Sequence, residues 1–343
     1  MENPKKNSGK KAFEKHSKEN RLHHEGDDLR WATNELVAKH RAERLRCEAI
    51  ADLGAGIGFQ AVEFAKRCRK VFAVEIDERK LENAKRNANT LKIKNIDFII
   101  GDVLDDNLIS QLKGVEIVFC DPERLPAEDS RSISSIKPDI SELIKKYSRL
   151  TTRIAIELPP QIRDVPFECE KEYISVSGKL NRLTTYLGEL KQCERSAVLL
   201  PVGTVMKNKP GSTMNNSDKL KAFLYEADPA VEKAELLGEL CEETGAEFYE
   251  RGKQAFFTSD KKLDSPFFKN KFKVLCECEF DEAKILSELK RLDVVKVELR
   301  FSVDPKEYWI IRNKYESQLK GGKRTVGLFK LKEKAVIAES FSK

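Results

Sequence analysis

Short apolar runs alternate with helical stretches between residues 47 and 120, and this alternation constrains the fold more than any other feature. The apolar runs are Cys47–Asp52, Val71–Glu75, Ile96–Ile100 and Val115–Cys120. The helical patterns between them are Phe59–Cys68, Glu78–Leu91 and Leu108–Leu112. Strands that alternate with helices in this way build βαβ units around a parallel sheet. The predicted fold class is therefore α/β with a Rossmann-like sheet.

The chain of 343 residues exceeds one ordinary α/β core, so we expect further parts. The predicted organisation is a basic disordered arm (1–20), an N-terminal helical extension (21–46), the Rossmann-like domain (47–217), a connecting segment (218–268) and a small α+β domain (269–343). The extension begins a helix near Asn34, capped by Thr33 or Asn34, with basic residues on its outer face.

Later segments extend both domains. Further strands of the Rossmann-like sheet are predicted at Arg153–Leu158, Glu172–Ser177, Leu183–Leu187 and Ala197–Leu200, with antiparallel pairing among the last three. One helix is predicted at Ala230–Thr244. The C-terminal segment has the order βαβαββ, from a strand at Lys273–Cys278 to a strand at Lys334–Glu339.

Composition excludes several classes of protein. No stretch approaches the roughly 18 to 20 apolar residues of a membrane helix, and the lysine-rich N-terminus has no apolar segment behind it, so we expect a cytoplasmic protein. The eight cysteines are scattered, which favours reduced, mostly buried thiols. All four histidines lie in the first 40 residues, which argues against a zinc or histidine-based enzyme. No metal is expected.

A glycine-rich turn follows the first predicted strand, in Ala51-Asp-Leu-Gly-Ala-Gly-Ile-Gly58. Glycines at 54, 56 and 58 let the backbone turn tightly and approach a ligand that a Cβ atom would block. Glu75, 17 residues after Gly58, stands at the tip of the second strand, where a carboxylate accepts ribose hydroxyls.

Two more acids point to the kind of ligand. Asp52 precedes the first glycine, where a carboxylate suits an ammonium and sulfonium ligand but repels a pyrophosphate. This favours S-adenosylmethionine over a dinucleotide as cofactor. Asp102, after the third strand, is expected to accept from the adenine amino group. The alternative is a ligand-free α/β domain with surface acids.

The fourth strand ends in Asp121-Pro122-Glu123-Arg124. Asp121 and the Pro122 carbonyl are expected to accept hydrogen bonds from an exocyclic amine, so that catalysis consists largely of positioning and desolvation. The alternative is a strand-end turn with a solvated Asp121.

These motifs resemble the class I methyltransferase family that carries a C-terminal THUMP-like domain and is regarded as RNA-methylating. The matching segments, which cover nearly everything after residue 20, are 31–45, 51–58, 73–77, 121–124, 157–162, 225–231 and 272–339. The resemblance implies Gly54, Gly56, Glu75 and Asp102 at the cofactor. It implies Asp121, Pro122 and Arg124 at the catalytic mouth. Amine-methylating relatives have a second proline and an aromatic residue where this chain has Glu123 and Arg124.

The distribution of charge along the chain predicts a binding partner. The two ends are positive, with a net charge of +4 for residues 1–24 and +6 for 269–343, and the middle is negative. Such ends suit a polyanion. Structured RNA, either tRNA or rRNA, is the predicted partner. The candidate contacts are Arg41, Arg44, Lys296, Arg300, Lys323 and Arg324, with Thr33 near the amino-acid end of the cofactor. The alternatives are solvated charge alone, methylation of DNA, protein or a small molecule, and a non-catalytic assembly factor that binds S-adenosylmethionine and RNA.

Overall fold

The computed structural model describes residues 21–25, 28, 32–124, 133–162 and 164–341, with side chains for all of these except 123, 124 and 134. The basic arm predicted at 1–20 lies outside this part of the chain. The chain divides into two compact units, one of residues 1–170 with 182–192 and one of residues 171–181 with 193–343. The domain boundaries proposed from the sequence remain predictions.

The first unit contains the Rossmann-like sheet. Its elements are α1 (Glu35–Arg44), β1 (Ala49–Leu53), α2 (Phe59–Ala65), β2 (Lys70–Glu75), α3 (Glu78–Thr90), β3 (Ile96–Ile100), α4 (Asp106–Ile109), β4 (Ile117–Cys120), β5 (Glu123–Arg124), β6 (Ile136–Lys137), α5 (Ile140–Tyr147), β7 (Ile154–Leu158) and β9 (Lys179–Tyr186).

The strand order in this unit is β3-β2-β1-β4-β7-β9. All neighbouring pairs are parallel except β7 and β9, which are antiparallel. The predicted α/β fold class is confirmed. The carboxyl ends of β1, β2 and β4 therefore meet at one edge of the sheet, which is where ligands bind in open α/β sheets.

The core of the sheet explains why the helices form where they do. Every residue of α2 is buried, and Phe64 packs edge-on against Phe119 of β4 at 5.4 Å between ring centroids. In α3, Leu81, Ala84 and Ala88 are buried at helical spacing, and Asp77 caps the N-terminus by accepting from the Lys80 backbone N–H.

The second unit consists largely of strands. Its elements are β8 (Glu170–Val176), β10 (Arg195–Leu200), β11 (Thr204–Lys207), β12 (Phe223–Ala227), α6 (Pro229–Lys233), α7 (Leu237–Thr244), β13 (Glu247–Arg251), β14 (Ala255–Ser259), β15 (Phe268–Glu279), α8 (Glu282–Arg291), β16 (Val294–Leu299), α9 (Tyr308–Glu316), β17 (Arg324–Leu331) and β18 (Lys334–Ser340).

The C-terminal elements follow the predicted order, but their sheet is wider than predicted. It has seven strands in the order β13-β14-β12-β15-β18-β17-β16. Three of these strands, β12 to β14, come from the segment that the sequence analysis treated as a connection. The order of elements along the chain cannot reveal that β12 pairs with β15, because strand pairing is a long-range interaction.

Two local predictions differ from the structure. Antiparallel pairing is predicted among the last three strands of the Rossmann-like sheet, whereas β8 and β10 pair in parallel. The helix predicted at Ala230–Thr244 is two helices, α6 and α7, because Glu235 between them has a left-handed backbone with φ of 57°.

Helix α1 begins as predicted, since the Asn34 side chain accepts from the Leu36 backbone N–H at 3.0 Å. The predicted exposure of Arg41 is wrong. Arg41 is fully buried, forms an ion pair with Glu157 of β7 and donates to Gln60 Oε1 at 2.7 Å. Its guanidinium also lies 4.5 Å from the centroid of the Phe119 ring.

The predicted exposure of Arg44 is also wrong. Its guanidinium pairs with Glu170 at 2.6 Å and stacks 3.5 Å from the centroid of the Tyr186 ring. Both arginines serve the packing of α1 against the sheet, so neither is available to RNA phosphates. A buried carboxylate partner such as Glu157, 116 positions away from Arg41, leaves no local signal in the sequence.

The eight cysteines are free thiols, four of them buried and four half-buried. Among the described residues, no helix has the length and apolar character to cross a membrane. Within the same residues, no group of three or more His, Cys, Asp or Glu side chains is arranged to hold a metal ion.

We predict that Arg41→Ala lowers the free energy of unfolding by about 3–5 kcal/mol, because the buried Glu157 carboxylate loses one of its two arginine partners and the packing of Arg41 against Phe119 is lost. Urea unfolding of the full chain measures this. The control is Arg69→Ala, whose 85% exposed side chain faces Glu48 at 3.6 Å and whose loss should leave the midpoint unchanged. Equal midpoints for the two variants would contradict the structural role of Arg41.

Candidate active site

A cavity of about 1160 Å³ opens at the carboxyl edge of the sheet in the first unit. Six of the residues predicted to bind the cofactor line it, namely Thr33, Asp52, Gly54, Gly56, Glu75 and Asp102. The two predicted catalytic residues Asp121 and Pro122 line it as well. Pockets that hold one small ligand measure roughly 300–1,000 Å³, so this cavity has room for a cofactor and part of an acceptor.

The glycine turn after β1 forms one wall of the cavity. Gly54 has φ of 79°, and a Cβ atom there would come within 2.8 Å of the Asp121 carbonyl oxygen. A Cβ on Gly56 would meet no atom within 4 Å and would point into open space. The turn thus leaves room for a ligand above Gly56. Gly58 does not line the cavity but starts α2, where a Cβ would approach Ala84 Cβ to 2.9 Å.

Glu75 is held rigidly at the tip of β2. Its Oε2 accepts from the Gly56 backbone N–H at 2.7 Å, and its Oε1 accepts from Ile76 and Asp77 at 2.9 and 3.0 Å. A carboxylate offers about four lone-pair positions, so an oriented Glu75 still has capacity for ribose hydroxyls.

Asp52 lies where its ionised form is electrostatically unfavourable. It is 1% exposed, and its Oδ2 has no hydrogen-bond partner among the described residues. Burial, followed by the nearby Asp121 carboxylate, raises the pKa of Asp52 to about 8, while Arg41 acts in the opposite direction. A buried carboxyl group with one oxygen unpartnered and with other acids beside it fits a cationic ligand, and S-adenosylmethionine carries both an ammonium and a sulfonium group.

Asp102 stands at the far end of the cavity, after β3. It is exposed, and its Oδ1 accepts from the Leu104 backbone N–H at 2.8 Å. This bond fixes the side chain at the edge of the cavity, as the predicted contact with an adenine amino group requires.

Asp121 and Pro122 follow β4 directly and stand next to the glycine turn. Asp121 is half-buried and its Oδ2 accepts from the Thr33 hydroxyl at 3.5 Å. Thr33 therefore contacts the predicted catalytic carboxylate. The backbone of Arg124 belongs to β5, which pairs with β6 in a short antiparallel ladder.

Sequence reasoning missed the contacts that fasten the N-terminal segment to α3. Arg79 donates to both carboxylate oxygens of Asp28, at 2.8 and 3.0 Å, and this pairing lowers the pKa of Asp28. The Asn87 side chain accepts from the His23 backbone N–H and donates to the His23 carbonyl oxygen at 3.0 Å. These partners lie 51 and 64 positions apart, so no local pattern reveals them.

The predicted RNA contacts in the second unit differ from one another. Lys296 and Lys323 are exposed. Arg324 pairs with Glu339 at 2.8 Å, and Arg300 pairs with Glu298 at 3.0 Å and lies over the Phe272 ring. The two lysines are therefore better candidates for phosphate contacts than the two arginines.

The fold and the site together define a methyltransferase domain of the S-adenosylmethionine-dependent class. Residues 47–220 match the family model described as a methyltransferase domain, and the chain belongs to that family. The crystal structure of a proposed methyltransferase from Porphyromonas gingivalis W83 has the same fold, with a TM-score of 0.75 and 16% identity. That match covers 92% of this chain and 82% of the other.

Two curated relatives match parts of the chain. An uncharacterized RNA methyltransferase of Synechocystis is 24% identical over 132 residues, which are 38% of this chain and 26% of the relative. A probable cobalt-precorrin-6B C(15)-methyltransferase of Methanococcus vannielii is 35% identical over 84 residues, which are 24% of this chain and 46% of the relative. The chain thus spans less than half the length of either relative.

We predict that S-adenosylmethionine binds more tightly as the pH rises from 6 to 8, because the cationic ligand favours the Asp52 carboxylate, and that the affinity levels off above pH 8. Isothermal titration calorimetry compares the wild type with Asp52→Asn, which cancels the titration of the ligand itself. The ratio of the two dissociation constants should grow from near one at pH 6 to about tenfold at pH 8.5. A ratio that does not change with pH would contradict this role of Asp52.

Proposed function

We propose that the protein transfers a methyl group from S-adenosylmethionine to a base nitrogen in structured RNA, such as tRNA or rRNA. One observation carries the proposal. The buried carboxyl of Asp52, whose Oδ2 has no hydrogen-bond partner among the described residues, the fixed carboxylate of Glu75 and the Asp121-Pro122 pair line a single cavity. This common lining supports a donor site next to an acceptor site.

The proposed mechanism assigns a task to each residue. S-adenosylmethionine supplies an electrophilic methyl group on its sulfonium sulfur. Glu75 and Asp102 would hold the ribose and adenine ends, and Asp52 would compensate the positive charge. Asp121 and the Pro122 carbonyl would accept hydrogen bonds from the acceptor amine and aim its nitrogen at the methyl carbon. The N–C bond would form as the S–C bond breaks, S-adenosylhomocysteine would leave, and the amine proton would pass to the Asp121 carboxylate or to water. Such positioning lowers the barrier without a covalent intermediate.

Two observations support RNA as the acceptor. The Synechocystis relative is named as an RNA methyltransferase. The C-terminal segment 269–343 carries a net charge of +6, which suits binding to a polyanion. On this proposal the C-terminal part acts as a THUMP-like module that docks RNA.

A small-molecule acceptor is the second candidate, because the Methanococcus vannielii relative is named as a methyltransferase of cobalt-precorrin-6B. The two candidates differ in one simple test. If labelled methyl transfer into a cell extract depends on RNA, treatment of the extract with ribonuclease abolishes it. If the acceptor is a small molecule, the label survives that treatment.

We predict that Asp121→Ala lowers methyl transfer to RNA at least 100-fold while the affinity for S-adenosylmethionine changes little, because the acceptor amine loses its hydrogen-bond acceptor. Asp121→Asn should keep more activity than Asp121→Ala, since its amide oxygen still accepts. The measurement is nucleoside mass spectrometry of RNA from a strain that lacks the gene, after incubation with purified protein and labelled donor. Donor binding without transfer by the wild type would favour a non-catalytic factor.

We also predict that Lys296→Ala combined with Lys323→Ala weakens binding to unmodified tRNA. It should reduce the slope of log K against log salt by about 1.4–1.8, as the loss of two phosphate contacts requires. Fluorescence anisotropy measures this. The control is Lys253→Ala with Lys261→Ala, which removes two exposed lysines from the same unit. An equal change in both double variants would argue against a specific contact at Lys296 and Lys323.

A further inference from the structure

The cavity is lined by four basic residues that the proposed mechanism does not use, and two of them lie near the proposed acceptor site. Lys137 and Arg182 both line it, together with Asp121 and Pro122. They come from elements that are far apart in sequence, β6 and the middle of β9. Neither residue was predicted from the sequence to take part in the site.

The strand register brings Lys137 close to the end of β4. Its Cα pairs with that of Glu123 in the β5–β6 ladder, and Glu123 lies two residues after Asp121. The side chain of Lys137 is exposed at the edge of the cavity. A flexible lysine there can reach an anion that lies next to the Asp121-Pro122 pair.

Arg182 lines the same cavity and belongs to β9, which lies next to β7 on the side away from β4. In β4 and β7, Cys120 pairs with Ile156, so Asp121 and Glu157 follow on adjacent parallel strands. The Arg182 guanidinium forms an ion pair with Glu157. Glu157 is itself held by the fully buried Arg41, and the Arg182 side chain is 16% exposed. Arg182 is therefore a cation at the cavity wall that its ion pair with Glu157 holds in place.

The acidic residues of the cavity explain why a polyanionic acceptor would need cations next to Asp121 and Pro122. The donor end is lined by carboxylates at Asp52, Glu75 and Asp102, and Asp121 adds another at the transfer point. A polyanion that approaches such a surface is repelled unless local cations balance its charge. Arg79, another cation of the cavity, is bound to Asp28.

We propose that Lys137 and Arg182 form an acceptor subsite that binds the phosphates on either side of the target nucleotide of the RNA. This assignment rests on the proposed function, because it names how the same site recognises its substrate. It also gives the Arg41–Glu157 pair a second effect, which is to position Arg182. Enzymes that modify a base act on single-stranded nucleic acid or extrude the target nucleotide from the stack, and contacts with the flanking phosphates fix the position of that nucleotide.

The test measures binding of fluorescein-labelled, unmodified tRNA to the full chain by anisotropy between 50 and 200 mM salt. We expect Lys137→Ala and Arg182→Gln each to weaken binding severalfold and to reduce the slope of log K against log salt by about 0.7–0.9, as loss of one phosphate contact requires. Lys113→Ala, which removes an exposed lysine outside the cavity, should match the wild type. Arg182→Lys should retain the wild-type slope.

Calorimetric titration with S-adenosylmethionine separates a contact from a folding defect, because all four variants should bind the donor as the wild type does. If Lys137→Ala and Arg182→Gln bind the donor normally and keep the wild-type slope for tRNA, the subsite is overturned while the proposed function stands. If the wild type neither binds nor methylates RNA, the proposed function fails and the subsite with it. Equal binding of a DNA oligonucleotide, with equal losses in both variants, would overturn the assignment to RNA.

Discussion

The buried ion pair between Arg41 and Glu157 is the interaction on which the geometry of the site depends. It joins α1 to β7 beneath the cavity, and it places a full positive charge against Phe119 in the centre of the sheet. Burial alone would lower the pKa of Arg41, but Glu157, Tyr186 and Asp121 raise it, so the guanidinium stays charged. The positive charge of Arg41, which is costly to bury, thus partly neutralises the acids around it.

Those acids explain why the cavity suits a cationic donor. Parallel strands bring Asp52, Glu75 and Asp121 to the same edge of the sheet, where the charges of Asp121 and Glu75 add to the effect of burial in raising the pKa of Asp52. The charge of Arg41 offsets part of the repulsion between these carboxylates. The positive charges of a bound donor would offset more of it, so binding of the donor and ionisation of Asp52 are coupled.

Much of this arrangement could be predicted from the sequence, because period and spacing are local signals. The alternation of strands and helices predicted the sheet, and the glycine turn followed by Glu75 predicted two walls of the cavity. What could not be predicted depends on partners far apart in the chain. The burial of Arg41, the Asp28–Arg79 pair and the Arg182–Glu157 pair follow from tertiary packing. The wide second sheet was missed for the same reason, since the paired residues of β12 and β15 lie 41 to 50 positions apart.

The most direct test of the account is a crystal structure of the full chain with S-adenosylhomocysteine, the product of the donor. The account predicts ribose hydroxyls within hydrogen-bond distance of Glu75, the adenine beside Asp102 and the sulfur facing Asp121 and Pro122. Nucleoside density elsewhere in the chain, or a sulfur that points away from Asp121, would contradict the central claim that this cavity is the methyl-transfer site.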